Sequence, residues 1–165
     1  MAYIIKDGQV GHQRIADTST TQNHPLGTIV NAVDPTNGEG EFIYLKGVAS
    51  TAVGSWVTYS SDDWSTALLT ANAKGPVAVA MSANVAGPNY GWYQIHGKAS
   101  ASAADVADNA RVFIDTAAGT CDDAFVAGDQ VWNATWASAD DTATNLADVE
   151  IARPFVNDGD DNDTA

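Results

Sequence analysis

The residues of this 165-residue chain that could do chemistry are three histidines, one cysteine and several adjacent aspartates. A metal centre needs ligands at a characteristic spacing. His12 and His24 fall in a polar stretch, and His96 ends an apolar run beside Gly97. None is spaced with a second ligand, so they read as ordinary polar histidines. Cys121 stands alone, with no cysteine to form an intrachain disulfide and no nearby Cys/His set to share zinc. The pairs Asp62-Asp63, Asp122-Asp123 and Asp140-Asp141 could do acid–base work. Each sits where the pattern demands a turn, and Asp is favoured there because its carboxylate bonds nearby backbone. The tail Asp158-Gly159-Asp160-Asp161-Asn162 opens like a calcium loop. Asp163 then stands where such a loop needs glycine, and no closing glutamate follows. There is no G-x-S-x-G elbow, no Walker lysine loop and no G-x-G-x-x-G after a strand. The expectation is a protein without catalytic residues, cofactor or metal.

Aromatic side chains offer a different chemistry. Five Trp and five Tyr in a small domain could supply a sugar-binding platform, with Trp92, Tyr93, Trp132 and Trp136 as its members. The same residues could fill a core or a subunit interface, where Trp and Tyr are enriched. We expect core and interface, with a carbohydrate-binding or host-adhesion module as the alternative. The partner-facing residues expected are Tyr3, Ile4, Ile5, Trp92, Trp132 and Trp136.

The elements that must position these residues read as β. Short β-branched and aromatic runs recur between turn residues, the pattern of a sandwich or barrel. The runs are 28–33, 41–48, 54–60, 64–70, 76–82, 90–96, 98–102, 111–116, 124–127, 130–137 and 146–156. In 41–48 both alternating sets are apolar, which predicts burial on both faces. In 76–82 valines alternate with Ala78 and Ala80, so another element packs closely on the small side. In 130–137, strict alternation puts Trp132 and Trp136 on one face. Only 103–110 invites a helix, of two turns at most. The predicted organisation is an extended arm over 1–27, a β domain over 28–156 and a disordered acidic tail over 157–165. The arm is polar and aperiodic, which predicts that it orders only on binding. The fold class is all-β, a compact antiparallel sandwich or barrel-like domain.

Composition bounds the partners. Seven Lys and Arg face 21 Asp and Glu, for a net charge of −14. The bases are scattered singly, so neither nucleic acid nor an anionic membrane is an expected partner. No apolar run approaches the roughly 18 residues that span a bilayer. The start lacks the basic-then-apolar order of a signal peptide, so synthesis in a cytoplasm is expected.

Several stretches share a resemblance. GEFIYLKGVASTAVGSWVTY (40–59) resembles the glycine-punctuated strand pair of tailed-phage head decoration, or cement, proteins. PVAVAMSANVAGPNYGWYQIHGKASA (76–101) is similar to that family's alanine-rich strand leading to an aromatic G-W-x-Q-I/V-x-G strand. GTCDDAFVAGDQV (119–131) looks like its acid-containing turn, and VEIARPFV (149–156) like its closing strand. The likeness covers residues 28–156. It implies a β-rich virion component, without active site or cofactor, that sits on the outer surface of the major capsid protein shell. It also implies an oligomer. A homotrimer is expected, with a homodimer second, because capsid lattices offer local three-fold sites.

Overall fold

The computed structural model describes residues 4–5, 13–84 and 86–157. Tyr3, His12 and the acidic tail beyond Asn157 lie outside the described residues, as does the side chain of Ile5. Every regular element among them is a strand. In chain order these are β1 (Ile4–Ile5), β2 (Thr18–Ser19), β3 (Ile29–Asp34), β4 (Gly38–Lys46), β5 (Trp56–Tyr59) and β6 (Thr66–Leu68). Then follow β7 (Lys74–Ala80), β8 (Tyr90–Ser102), β9 (Arg111–Ile114), β10 (Cys121–Asp122), β11 (Gln130–Trp136) and β12 (Leu146–Asn157). They join one antiparallel sheet in the order β1-β3-β4-β8-β7-β12-β11-β9-β10, with β2 on β8 and the β5–β6 pair on β7. Isolated bridges from Lys46 to Ser65 and from Ala103 to Cys121 draw distant parts of the sheet together, so it rolls without closing into a barrel.

The runs 90–96 and 98–102 prove to be one strand, β8, which bends at Gly97 (φ 95°). Only glycine adopts this backbone readily. A methyl at this position would also collide with the Glu39 carbonyl of the β3–β4 hairpin. The bend frees the carbonyls of His96 and Lys98, and the fully buried Gln94 amide donates to both, at 3.1 and 3.0 Å. The first half of β8 pairs with β4 and β7, and the second half with β12.

Three apolar clusters follow. Strand β4 is buried on both faces, as its two apolar sets predict. Phe42 and Tyr44 join Trp92, Ile15 and Val30, while Ile43 and Leu45 join Val57, Tyr93 and Ile95. Ala78 and Ala80 lie in the second of these, where their small size lets β7 approach Tyr93. The third cluster gathers Trp56, Val77, Val79, Val149 and Trp136 under the second half of β8. The Trp56 and Trp136 rings meet edge to face at 6.0 Å. Burying side chains of this kind stabilises by about 1.5–3 kcal/mol each.

Two expectations are corrected. Residues 103–110 form no helix. Asp105 and Asn109 are left-handed, and the amides of Val106 and Ala107 bond the carboxylates of Asp140 and Asp123 instead of helical carbonyls. Run 124–127 is a loop, and the strand lies before it, at β10.

The described part of the arm, residues 13–27, includes turns at Arg14–Asp17 and Pro25–Thr28 and packs on the sheet. Ile15 is buried, and Thr18–Ser19 pair with Gly91 and Tyr90. Gln13 ties the arm down: its carbonyl accepts from the Trp92 indole at 2.9 Å, its side-chain oxygen from the Tyr44 hydroxyl at 3.0 Å. Its backbone N–H donates to His24 Nε2 at 3.0 Å. Polar residues hold this segment, which is why hydrophobic periodicity does not reveal it.

The bend makes a test. Gly97→Ala should lower the unfolding free energy by roughly 3 kcal/mol, since left-handed strain and backbone collision add. Gly38 is also left-handed (φ 78°) but has open space around it. Gly38→Ala should cost only about 1 kcal/mol. Urea unfolding of both variants measures the difference, and equal losses would mean that the collision at Gly97 is relieved.

Candidate functional site

The bend of β8 continues across its neighbours. Strand β12 leaves β8 after Ala152 and joins β7 at Phe155. Arg153 is left-handed there (φ 53°), followed by Pro154, which has no N–H to give a ladder. Strand β11 breaks opposite, at Asn133 (φ 60°), where its register with β12 shifts. Gly97, Arg153 and Asn133 thus form a crease across three adjacent strands. Its inner side closes on the third cluster. Its outer side opens as a groove of about 820 Å³, within the range of small-ligand clefts, roughly 300–1,000 Å³.

Cross-strand register builds the groove wall. Lys98 on β8 faces Glu150 on β12, Glu150 faces Thr135 on β11, and Thr135 faces Arg111 on β9. The four make one outward row. His96, Asn133, Gln130 and Asn37 complete the polar lining. Lys98 Nζ is bound to Asp148 Oδ2 at 2.7 Å. Arg111 and Glu150 have no hydrogen-bond or ionic partner among the described residues. Thr135 separates them by two strand spacings, about 10 Å.

The break at Asn133 also decides the tryptophans. It shifts the alternation by one residue, so Val131 and Trp136 both point inward and Trp132 points out. The expectation that Trp132 and Trp136 share a face is therefore wrong. Trp132 is 43% exposed and pairs directly with Phe155, 41% exposed, on β12. Neither ring lines the groove, but Trp132 lies between the lining residues Gln130 and Asn133 in the chain.

Trp136 and Trp92 are corrections to the partner-facing set. Both are fully buried, and their indoles donate to the carbonyls of Asp122 and Gln13, so neither has surface for a partner. Tyr93, a member of the possible sugar platform, is buried too, and burial pushes its phenol up. Ile4 remains, 61% exposed on β1. The groove residues come from four strands and the β3–β4 turn, and alternation alone marks the strand residues only as outward.

The aspartate pairs are not brought together as acid and base. Asp63 accepts from Ser65, Asp122 from Ala124, Asp123 from Ala107, Asp140 from Val106 and Asp141 from Ala143. The hydroxyl and amide of Ser65 hold Asp63 below its usual value. Burial pushes Asp122 up, and the charges of Asp115 and Asp123 add to this against the Ala124 amide. Among the described residues no group of three or more His, Cys, Asp or Glu could hold a metal ion. No protein-family model and no curated protein matches the chain.

Two measurements follow from this geometry. Asn133→Gly should preserve the outward Trp132, because glycine takes a left-handed backbone freely. Asn133→Val should cost about 1–2 kcal/mol in urea unfolding. Equal stability of the two would mean that the break is not held by its backbone angle. Cys121 is fully buried, and burial with the charges of Asp122 and Asp115 pushes its thiol well above the usual range. The native protein should resist a thiol reagent at about pH 8 and react once unfolded. Rapid labelling of the folded protein would show that this face of the core opens.

Proposed function

We propose that this protein is a capsid decoration protein of a tailed-phage head. It binds the outer surface of the major capsid protein shell and stabilises the head against internal DNA pressure. The stretches that resemble this family supply β4 and β5, β7 and β8, β10 and the start of β11, and most of β12. The observation that carries the reading is where the exposed apolar residues lie. The sheet path begins at β1, with Ile4 61% exposed, and ends at β10, after which Phe125 is 70% exposed. Ile29, on the neighbouring strand β3, and Val126, next to Phe125 in the chain, are exposed as well. Four of the seven exposed large apolar side chains among the described residues thus lie towards the two ends of the path, and a lattice component has neighbours on both sides to cover them.

Binding in many copies makes modest contacts sufficient. The net charge of −14 keeps free subunits apart before assembly. The reading assigns no active site and no cofactor, and its partners are the major capsid protein and other copies of this chain. A homotrimer at local three-fold sites is the preferred assembly, and a homodimer at two-fold sites the second.

Co-sedimentation with phage heads lacking the protein tests this. Mature heads should bind it saturably, at a fixed ratio to capsid protein, and better than immature shells. The double variant Ile4→Asp/Phe125→Ser should bind about tenfold or more weakly while still folding. Absence of binding to both kinds of shell would end the decoration reading.

A further inference from the structure

We propose that the groove over the crease is a binding site for a neutral oligosaccharide. Its side chains match the ligand chemistry. A sugar presents neighbouring hydroxyls, each a donor and an acceptor. The planar groups of Arg111, Glu150, Gln130 and Asn133 offer paired donors or acceptors in a fixed geometry. The side chains of Arg111 and Glu150 line this space with no partner among the described residues, and Thr135 lies between them in the register. Hydrogen bonds to charged groups are the stronger kind, so these two positions have the most to gain from a ligand.

Charge selects the class. Lys98 is already matched by Asp148, and Arg111 is balanced within the groove by Glu150. The site is locally neutral on a chain of −14. The field of the whole protein opposes an anionic ligand, and a cationic one would find acid elsewhere on the surface as readily. A neutral polyol meets neither objection.

The aromatic pair supplies the remaining element. Trp132 and Phe155 pair side by side, half exposed, because the Asn133 break turns Trp132 outward, and Trp132 lies in the chain between the groove residues Gln130 and Asn133. An indole there offers an apolar face for the C–H side of a pyranose ring and a polar N–H at its edge. Small-ligand sites combine such a surface with a few convergent polar groups. The inference does not rest on the capsid reading, since the apolar ends of the sheet and the groove are separate surfaces.

The test uses the full chain with cellopentaose, chitopentaose, mannopentaose, maltopentaose and laminaripentaose, and with tetragalacturonate as the anionic arm. Calorimetry measures binding and intrinsic fluorescence reports on Trp132, the most exposed indole among the described residues. At least one neutral saccharide should bind and shift the emission to shorter wavelength. Arg111→Met, Glu150→Gln and Trp132→Ala should each weaken binding about tenfold or more with the thermal midpoint unchanged. These side chains are on the outer face, so the variants should fold. The proposal is overturned if no neutral saccharide binds, if tetragalacturonate binds better than all of them, or if the three variants bind as well as the parent.

Discussion

A strand that serves three apolar clusters in turn has to bend, and Tyr90–Ser102 does so at a residue with no side chain. Before Gly97 the strand is buried on both faces, with Trp92 towards one cluster and Tyr93 and Ile95 towards another. After it, Ala99 and Ala101 line a third cluster, where the indoles of Trp56 and Trp136 fill the space that small residues leave. The bend would otherwise strand two carbonyls and the Gln94 amide in the interior. Leaving such groups unpaired costs about 1–3 kcal/mol each. Here they satisfy one another, so the buried polar residue and the kink require each other.

The same constraint shapes the surface. A sheet cannot crease at one strand alone, because the ladder would tear. Strands β12 and β11 break near the same level, each at a left-handed residue, and the outer side opens where the inner side closes. The aromatic pair Trp132–Phe155 and the polar row from Lys98 to Arg111 are thus consequences of how the core is closed. The groove needs no loop of its own, and its walls inherit the rigidity of the sheet.

Much of the fold was legible in the sequence because burial writes itself into alternation. Both-face burial of 41–48 follows from two apolar sets, and the close approach at Ala78 and Ala80 from their size. Alternation fails where the backbone changes phase. Asn133 carries no signal that separates it from any strand asparagine, so alternation alone puts Trp132 and Trp136 on one face. Trp92 looked as available to a partner as any tryptophan, since nothing local says that Gln13 will cover it. The arm does not read as a packed element because polar residues, Gln13 and His24, hold it through hydrogen bonds rather than through an apolar repeat. The groove row was invisible for a different reason: Lys98, Arg111, Thr135 and Glu150 meet only through the register of four strands.

The negative charge has a structural origin as well as a consequence. Asp63, Asp122, Asp123, Asp140 and Asp141 all accept from backbone amides in turns and loops. Short strands need many turns, and turns favour Asp. Part of the excess charge is therefore the result of building a sheet from short strands, rather than a field aimed at a basic partner. The cations are placed more selectively: Lys98 meets Asp148, Arg153 meets Glu41 beside the crease, and Arg111 stays open to the groove. At physiological ionic strength the Debye length is about 8 Å. Repulsion between copies is then screened beyond close contact, while apolar attraction at Ile4 and Phe125 is not. On the proposed decoration reading, such a surface stays dispersed when free and packs side by side on a shell.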